Sequence, residues 1–110
     1  MSTPFRPPLI TLEAEEVAAR AARGEIHLVD VREDAEWEGG RIPGAIHAPL
    51  SRFADVVGSL PDDKPLVFYC LVGGRSARAV AFCQASGLPH DTHLGGGIQA
   101  WAEAGLPLEG

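Results

Sequence analysis

Residues 66–76, LVFYCLVGGRS, decide how this chain folds. The run LVFYC has no polar face, so as a strand it must be covered on both sides. That requirement places it at the centre of a parallel sheet with helices on both faces, an α/β fold. The glycine-containing loop LVGGR follows, and Ser76 is positioned to cap a helix running to residue 86. Ala79, Val80, Phe82 and Cys83 are its expected buried stripe and Gly87 its stop. In open parallel sheets ligands bind beyond the carboxyl ends of the strands, where Cys70 and its loop lie.

Working upstream, Leu50, Phe53, Ala54 and Val57 recur at helical spacing before the turn at residues 61–63. Residues 45–48 are a short apolar piece stopped by Pro49, and residues 34–38 fit one short helical turn. IHLVDV (26–31) is a β-branched strand. Thr11 is read as the cap of a helix ending near residue 23, with Glu13, Glu15 and Glu16 at its positive end and Arg20 and Arg23 at its negative end. Downstream, residues 91–94 form a strand, and Gly95–Gly97 lead into a last helix bearing Ile98 and Trp101. Three prolines in residues 1–8 deny helix and central strand alike, so this segment is expected to be flexible and the domain to span residues 9–110.

Composition agrees with one globular domain. Of 110 residues, 45% are hydrophobic and 22% charged, and nine basic against 15 acidic side chains give a net charge of −6. Folding at this length buries roughly two-thirds of the surface of the unfolded chain, enough for a core without staples. The longest apolar run, residues 66–72, is far short of the roughly 20 needed to span a bilayer. MSTPFRPP has no apolar stretch resembling a targeting signal, so the expected location is the cytoplasm, where two cysteines are thiols. The acidic balance and single lysine, Lys64, argue against nucleic-acid and membrane partners; any anion must be held locally.

The loop supplies the means. Backbone N–H groups of Leu71, Val72, Gly73, Gly74, Arg75 and Ser76 can curl around an anion at the helix N-terminus, with Gly73 and Gly74 permitting close approach. The same field favours the Cys70 thiolate, and Arg75 adds a planar cation that either contacts an oxyanion or points away and braces the loop through a carboxylate such as Asp30 or Glu36. A nucleophile inside an anion cradle points to attack on a substrate that bears, or becomes, an anion. The competing reading of Cys70 as a packing residue leaves the glycines and arginine unexplained.

Four stretches in order, LVDVREDAEW (28–37), GRIPGAIHAPL (40–50), CLVGGRS (70–76) and GGIQAW (96–101), resemble the single-domain rhodanese-like sulfurtransferases over about residues 9–108. The resemblance implies a five-stranded parallel sheet and a Cys70 that accepts a sulfane sulfur as a persulfide. It implies a small anionic donor such as thiosulfate, or a persulfide donor, a thiol, protein or cyanide acceptor, and no cofactor or metal. The chain departs from the family at Arg41, where histidine is usual, and at the apolar pair Leu71 and Val72, where thiosulfate-using members often carry basic or polar side chains. Related cysteine phosphatases place arginine six positions after the cysteine in a larger loop. Here Arg75 is the fifth and Ser76 the sixth, which ranks a phosphatase or arsenate reductase second and a noncatalytic binding module third.

Asp30 and Arg32, at the end of IHLV, either back the active loop or form a plain structural ion pair. The latter is preferred because paired charges at strand ends organise loops, and Glu36 is expected to join that network. Trp37 and Trp101 are read as core lids. Cys83 lies about 10 Å along the helix from its start, outside disulfide range of Cys70. His90 and His93 lack metal-ligand spacing, His27 and His47 have no evident partner, and Gly95–Gly97 read as a tight turn where backbone approaches the active loop.

Overall fold

The computed structural model describes residues 8–110; the segment 1–7, most of the stretch expected to be flexible, lies outside the described residues. Leu66–Tyr69 is buried along its whole length and forms β4. It is flanked by β2 (His27–Asp30) and β5 (Thr92–Leu94), while β1 (Ile10–Leu12) and β3 (Ile46–His47) are the edges, in the order β1-β5-β4-β2-β3. All four pairings are parallel, with Asp30 beside Tyr69 and Phe68 beside His93.

Alternation along the strands divides the core in two. Leu28, Val67 and Tyr69 face Ala14 and Val17 of α1 (Ala14–Ala22) and Ile98 and Trp101 of α5 (Gly97–Glu103). Val29, Leu66 and Phe68 face Phe53 of α3 (Phe53–Val56) and Ala79, Val80 and Cys83 of α4 (Gly74–Ala85). Helices therefore cover both faces, as the apolar β4 requires. A short α2 (Asp34–Glu38) follows β2. No helix among the described residues is long and apolar enough to cross a membrane.

Four local expectations are corrected. Thr11 does not cap α1; it lies in β1, paired in register with His93, and Glu13 precedes the helix. Three residues are too few to show a period, and only pairing with β5 reveals them as a strand. Ser76 is not a cap either. Gly73, at φ +108°, turns the chain so that α4 starts at Gly74, which leaves Ser76 buried inside the first turn. Phe82 is 38% exposed and meets Phe53 edge-on at the rim of the core. The helix expected from the spacing of Leu50 to Val57 is only Phe53–Val56, flanked by 3₁₀ turns.

The turn after β5 touches the loop after β4 through backbone alone. Ile98 N–H donates to the Cys70 carbonyl at 2.9 Å and Gln99 N–H to the Leu71 carbonyl at 3.1 Å. Gly97 sits at φ +65°, and a Cβ there would lie 2.2 Å from the Leu71 oxygen. Gly97→Ala is therefore expected to cost at least about 2 kcal/mol, since neither backbone can yield. Gly58→Ala, in an open 3₁₀ turn without positive φ, should stay within about 0.5 kcal/mol. Thermal melts of the two variants compare them directly.

Candidate functional site around Cys70

Cys70 follows the last residue of β4 and is 1% exposed. Its Sγ accepts the N–H of Gly73 at 3.1 Å and of Ser76 at 3.4 Å, and the Ser76 hydroxyl lies 3.7 Å away. Burial pushes the thiol pKa up, but the amides of Ser76, Gly73 and Arg75 and the Ser76 hydroxyl outweigh it, leaving the pKa below its ordinary value. Cys83 meets only burial, which pushes it up to about 11. Both cysteines are free, and of the two only Cys70 has surroundings that favour the anionic form over the thiol's ordinary balance.

The cradle keeps its shape through two contacts. The first is the glycine turn: a Cβ on Gly73 would meet the Gly95 carbonyl oxygen at 2.2 Å, so residues 95–97 approach the loop as the glycine run suggests. The second is Arg75, whose Nη1 and Nη2 donate to the Glu36 carboxylate at 2.6 and 2.9 Å, a bidentate pair across to α2. Glu36 also accepts the Glu33 N–H at 3.1 Å. Its carboxyl is held down to about 2, chiefly by Arg75, against a smaller desolvation effect and with help from the Glu33 amide.

Glu36 makes its side-chain ion pair across to the loop, as one of the two carboxylates expected to be able to brace it, and keeps only a longer-range electrostatic interaction with Arg32 of the network it was expected to join. Asp30 is fully buried and takes Arg32 Nη2 at 2.8 Å, Arg32 Nε at 3.1 Å and the Arg32 amide at 2.8 Å, while Arg32 Nη2 also reaches the Gly40 carbonyl. This pair ties β2 to the segment around residue 40 and makes none of these bonds to residues 70–76. Leu71 and Val72, which follow the buried Cys70, are 42% and 57% exposed and place two apolar side chains at the surface of the loop. Gly74 opens α4, with nothing within 4 Å of a Cβ built on it.

Two neighbours of the loop escape a linear reading. The Ser76 hydroxyl lies 2.8 Å from His93 Nδ1, and His93 Nε2 lies 3.2 Å from the Thr11 hydroxyl. The parallel β1–β5 pairing creates this juxtaposition of residues far apart in the chain. Thr11, Glu13, Val72, Gly73, His93 and Gly95 help line an adjoining open cavity of about 320 Å³. The other histidines lie elsewhere: His90 against the Phe68 ring, His27 with Asp63, and His47 stacked on Trp37 and bonded to the Arg32 carbonyl. Arg41 lies over Trp37, 4.8 Å from the ring centroid. Trp101 is buried with its Nε1 donating to the Pro107 carbonyl. Among the described residues no three His, Cys, Asp or Glu side chains gather as a metal site.

The profile of the rhodanese-like domain family matches residues 13–104. An Allochromatium vinosum protein named sulfurtransferase is 37% identical over 98 residues, covering 88% of this chain and 92% of its own. Some other curated relatives are longer, and this chain spans 42% and 22% of two of them. Among solved structures, a rhodanese-related protein of Thermoplasma volcanium superposes with a TM-score of 0.82 at 32% identity, covering 91% of this chain and 97% of that one. A Rhodopseudomonas palustris protein of unknown function, described as a possible tyrosine phosphatase, superposes at 0.79 with 28% identity and 99% coverage of both chains.

The Glu36–Arg75 brace has a pH signature. A carboxyl depressed from 4.5 to about 2 contributes stability that is fully present above its ordinary pKa and is lost as pH falls through the depressed value. Glu36→Gln should lower stability at neutral pH by about 1 kcal/mol, a value discounted for the partial exposure of the pair. Its stability should then decline less than that of the unaltered protein between about pH 4.5 and 2. Urea midpoints across that range provide the check, and parallel acid slopes would contradict the brace.

Proposed function

The chain belongs to the rhodanese-like domain family, and we propose on that footing that it is a sulfurtransferase in which Cys70 carries the transferred sulfur. The observation that carries this reading is the buried Cys70 sulfur surrounded by converging amides, a site that favours an anionic sulfur. The Cys70 thiolate attacks the outer sulfur of thiosulfate; the new S–S bond forms as the old one breaks, and sulfite leaves with the electron pair. The resulting Cys70 persulfide remains an anion in the same cradle. A thiol, a protein nucleophile or cyanide then takes the outer sulfur and returns Cys70 as thiolate. No cofactor or metal is needed, and a reducing cytoplasm suits a free thiol.

The cradle amides and Arg75 bear on donor choice differently. Amides act on charge wherever it forms, with no reorganisation. Arg75, by contrast, already has both terminal nitrogens on Glu36, so we assign it to bracing the loop rather than to gripping the donor. With the apolar Leu71 and Val72 at the surface of the loop, an organic persulfide suits the site as well as thiosulfate does. The resemblance to a possible tyrosine phosphatase keeps phosphate hydrolysis as the competing reading. The arginine five rather than six positions after Cys70 favours sulfur.

After incubation with thiosulfate, the intact protein should gain the mass of one sulfur atom, mapped to Cys70 and released by cyanide as thiocyanate. Cys70→Ser should do neither while retaining its circular dichroism spectrum, and Cys83→Ala should keep most of the activity. Cys70-dependent hydrolysis of an aryl phosphate without sulfur loading would assign the phosphatase class instead. Arg75→Ala should lower kcat/KM for thiosulfate and for a neutral organic persulfide alike, by about three- to tenfold, together with thermal stability. A loss confined to thiosulfate would assign the guanidinium to the donor.

A further inference from the structure

Cys70, Ser76, His93 and Thr11 stand in series: 3.7 Å from Sγ to Oγ, 2.8 Å from Oγ to Nδ1 and 3.2 Å from Nε2 to the Thr11 Oγ1. The Ser76 hydroxyl has one proton and three neighbours able to accept it, the third being the Gly73 carbonyl at 3.1 Å. The His93 tautomer decides whether Nδ1, the nearest of the three, is among those acceptors. With the proton on Nε2, Nδ1 is an acceptor and draws the Ser76 proton, leaving only oxygen lone pairs toward sulfur. That suits an S–H donor and opposes a thiolate. With the proton on Nδ1, the ring donates to Ser76 and frees the hydroxyl to donate to sulfur.

We infer that His93, held between Ser76 and Thr11, is a positioning residue that turns the Ser76 hydroxyl toward the Cys70 sulfur when the thiol ionises. Thr11 makes the reversal possible because its hydroxyl either accepts from Nε2 or donates to it. On ionisation the thiol proton passes to Ser76 Oγ, the Ser76 proton to Nδ1 and the Nε2 proton to Thr11. The Thr11 hydroxyl proton is released to water at the exposed edge of β1. One proton leaves, each relay group ends neutral, and the thiolate gains a third hydrogen bond besides those from Gly73 and Ser76 N–H. The ring must be neutral for this, and burial lowers its pKa. The charged group that shares its cavity is Glu13, from the β1 side, and the ring's hydrogen bonds go to Ser76 and Thr11.

This inference rests on Cys70 being the reactive thiol, and its test reads the thiol itself, independently of sulfur loading. In a Cys83→Ala background, the ultraviolet absorbance of the thiolate and the rate of alkylation by iodoacetamide are followed against pH. His93→Leu should raise the Cys70 midpoint by about one unit and slow alkylation near neutrality about tenfold, the worth of one hydrogen bond to a charged group. His93→Asn, whose amide can donate from near the place of Nδ1, should recover most of the loss. Thr11→Val, at the sheet edge, should act in the same direction by about threefold. With Ser76→Ala already present, His93→Leu should change nothing further. A His93→Leu or Thr11→Val protein that titrates like its parent overturns the inference. So does a His93→Asn protein as impaired as His93→Leu, or a His93→Leu effect that survives loss of the Ser76 hydroxyl.

Discussion

The contact between the loop after β4 and the glycine turn after β5 is the constraint on which the site depends. The carbonyls of Cys70 and Leu71 are taken by the N–H groups of Ile98 and Gln99. The peptide units are thereby fixed, and the amides of Gly73 and Ser76 remain to converge on the sulfur. Sheet order makes this possible, because β5 lies directly beside β4 and both strands end at the same edge. The two turns approach so closely that neither Gly73 nor Gly97 has room for a Cβ. A side chain at either place would separate the turns and loosen the amides around Cys70.

Electrostatics at the site is local. A net charge of −6 gives no long-range attraction for an anion, and at physiological salt the field fades over about 8 Å. Stabilisation of a thiolate then falls to groups in contact with it. Amide N–H groups are well suited to that task because they add no formal charge that would need a counterion elsewhere. Arg75 pairs with Glu36, so its charge is balanced where it sits and its rigid fork holds α2 against the loop. Asp30 and Arg32 balance each other in the same way in the interior, where an unpaired carboxylate would be far costlier.

How much of this was legible in the sequence follows from the range of the interactions. β4, α2 and the position of Cys70 were readable because apolar runs, glycines and cap residues act over a few neighbours. The glycine turn was also readable, since three consecutive glycines have few other uses beside a second glycine loop. β1 was not, because Ile10–Leu12 has too few residues to show alternation and becomes a strand only through β5. The roles of Thr11 and His93 were hidden with it, since they meet through that pairing. Glu36 was legible as a carboxylate able to brace the loop through Arg75, but so was Asp30; the contact falls to Glu36 because Asp30 is already matched by Arg32 two residues away. Ser76 was misread as a cap because Gly73 ends the loop three residues earlier, and burial gave its hydroxyl other partners.

Burial of the sulfur raises a problem of access that the proposed chemistry itself answers. A thiol 1% exposed is poorly placed to be reached by a bulky acceptor, and opening the cradle would break the hydrogen bonds that favour the thiolate. A persulfide adds an atom about 2 Å beyond Sγ, so the sulfur to be passed on extends past the one that carries it. The acceptor then has to reach only the outer sulfur. The inner sulfur leaves as a thiolate into amides already positioned for it, so the arrangement that favours ionisation of the free thiol also favours its departure as the leaving group. Both halves of the transfer draw on one rigid structure, which explains why loop geometry is fixed by backbone contacts while the loop surface is left to exposed, exchangeable side chains.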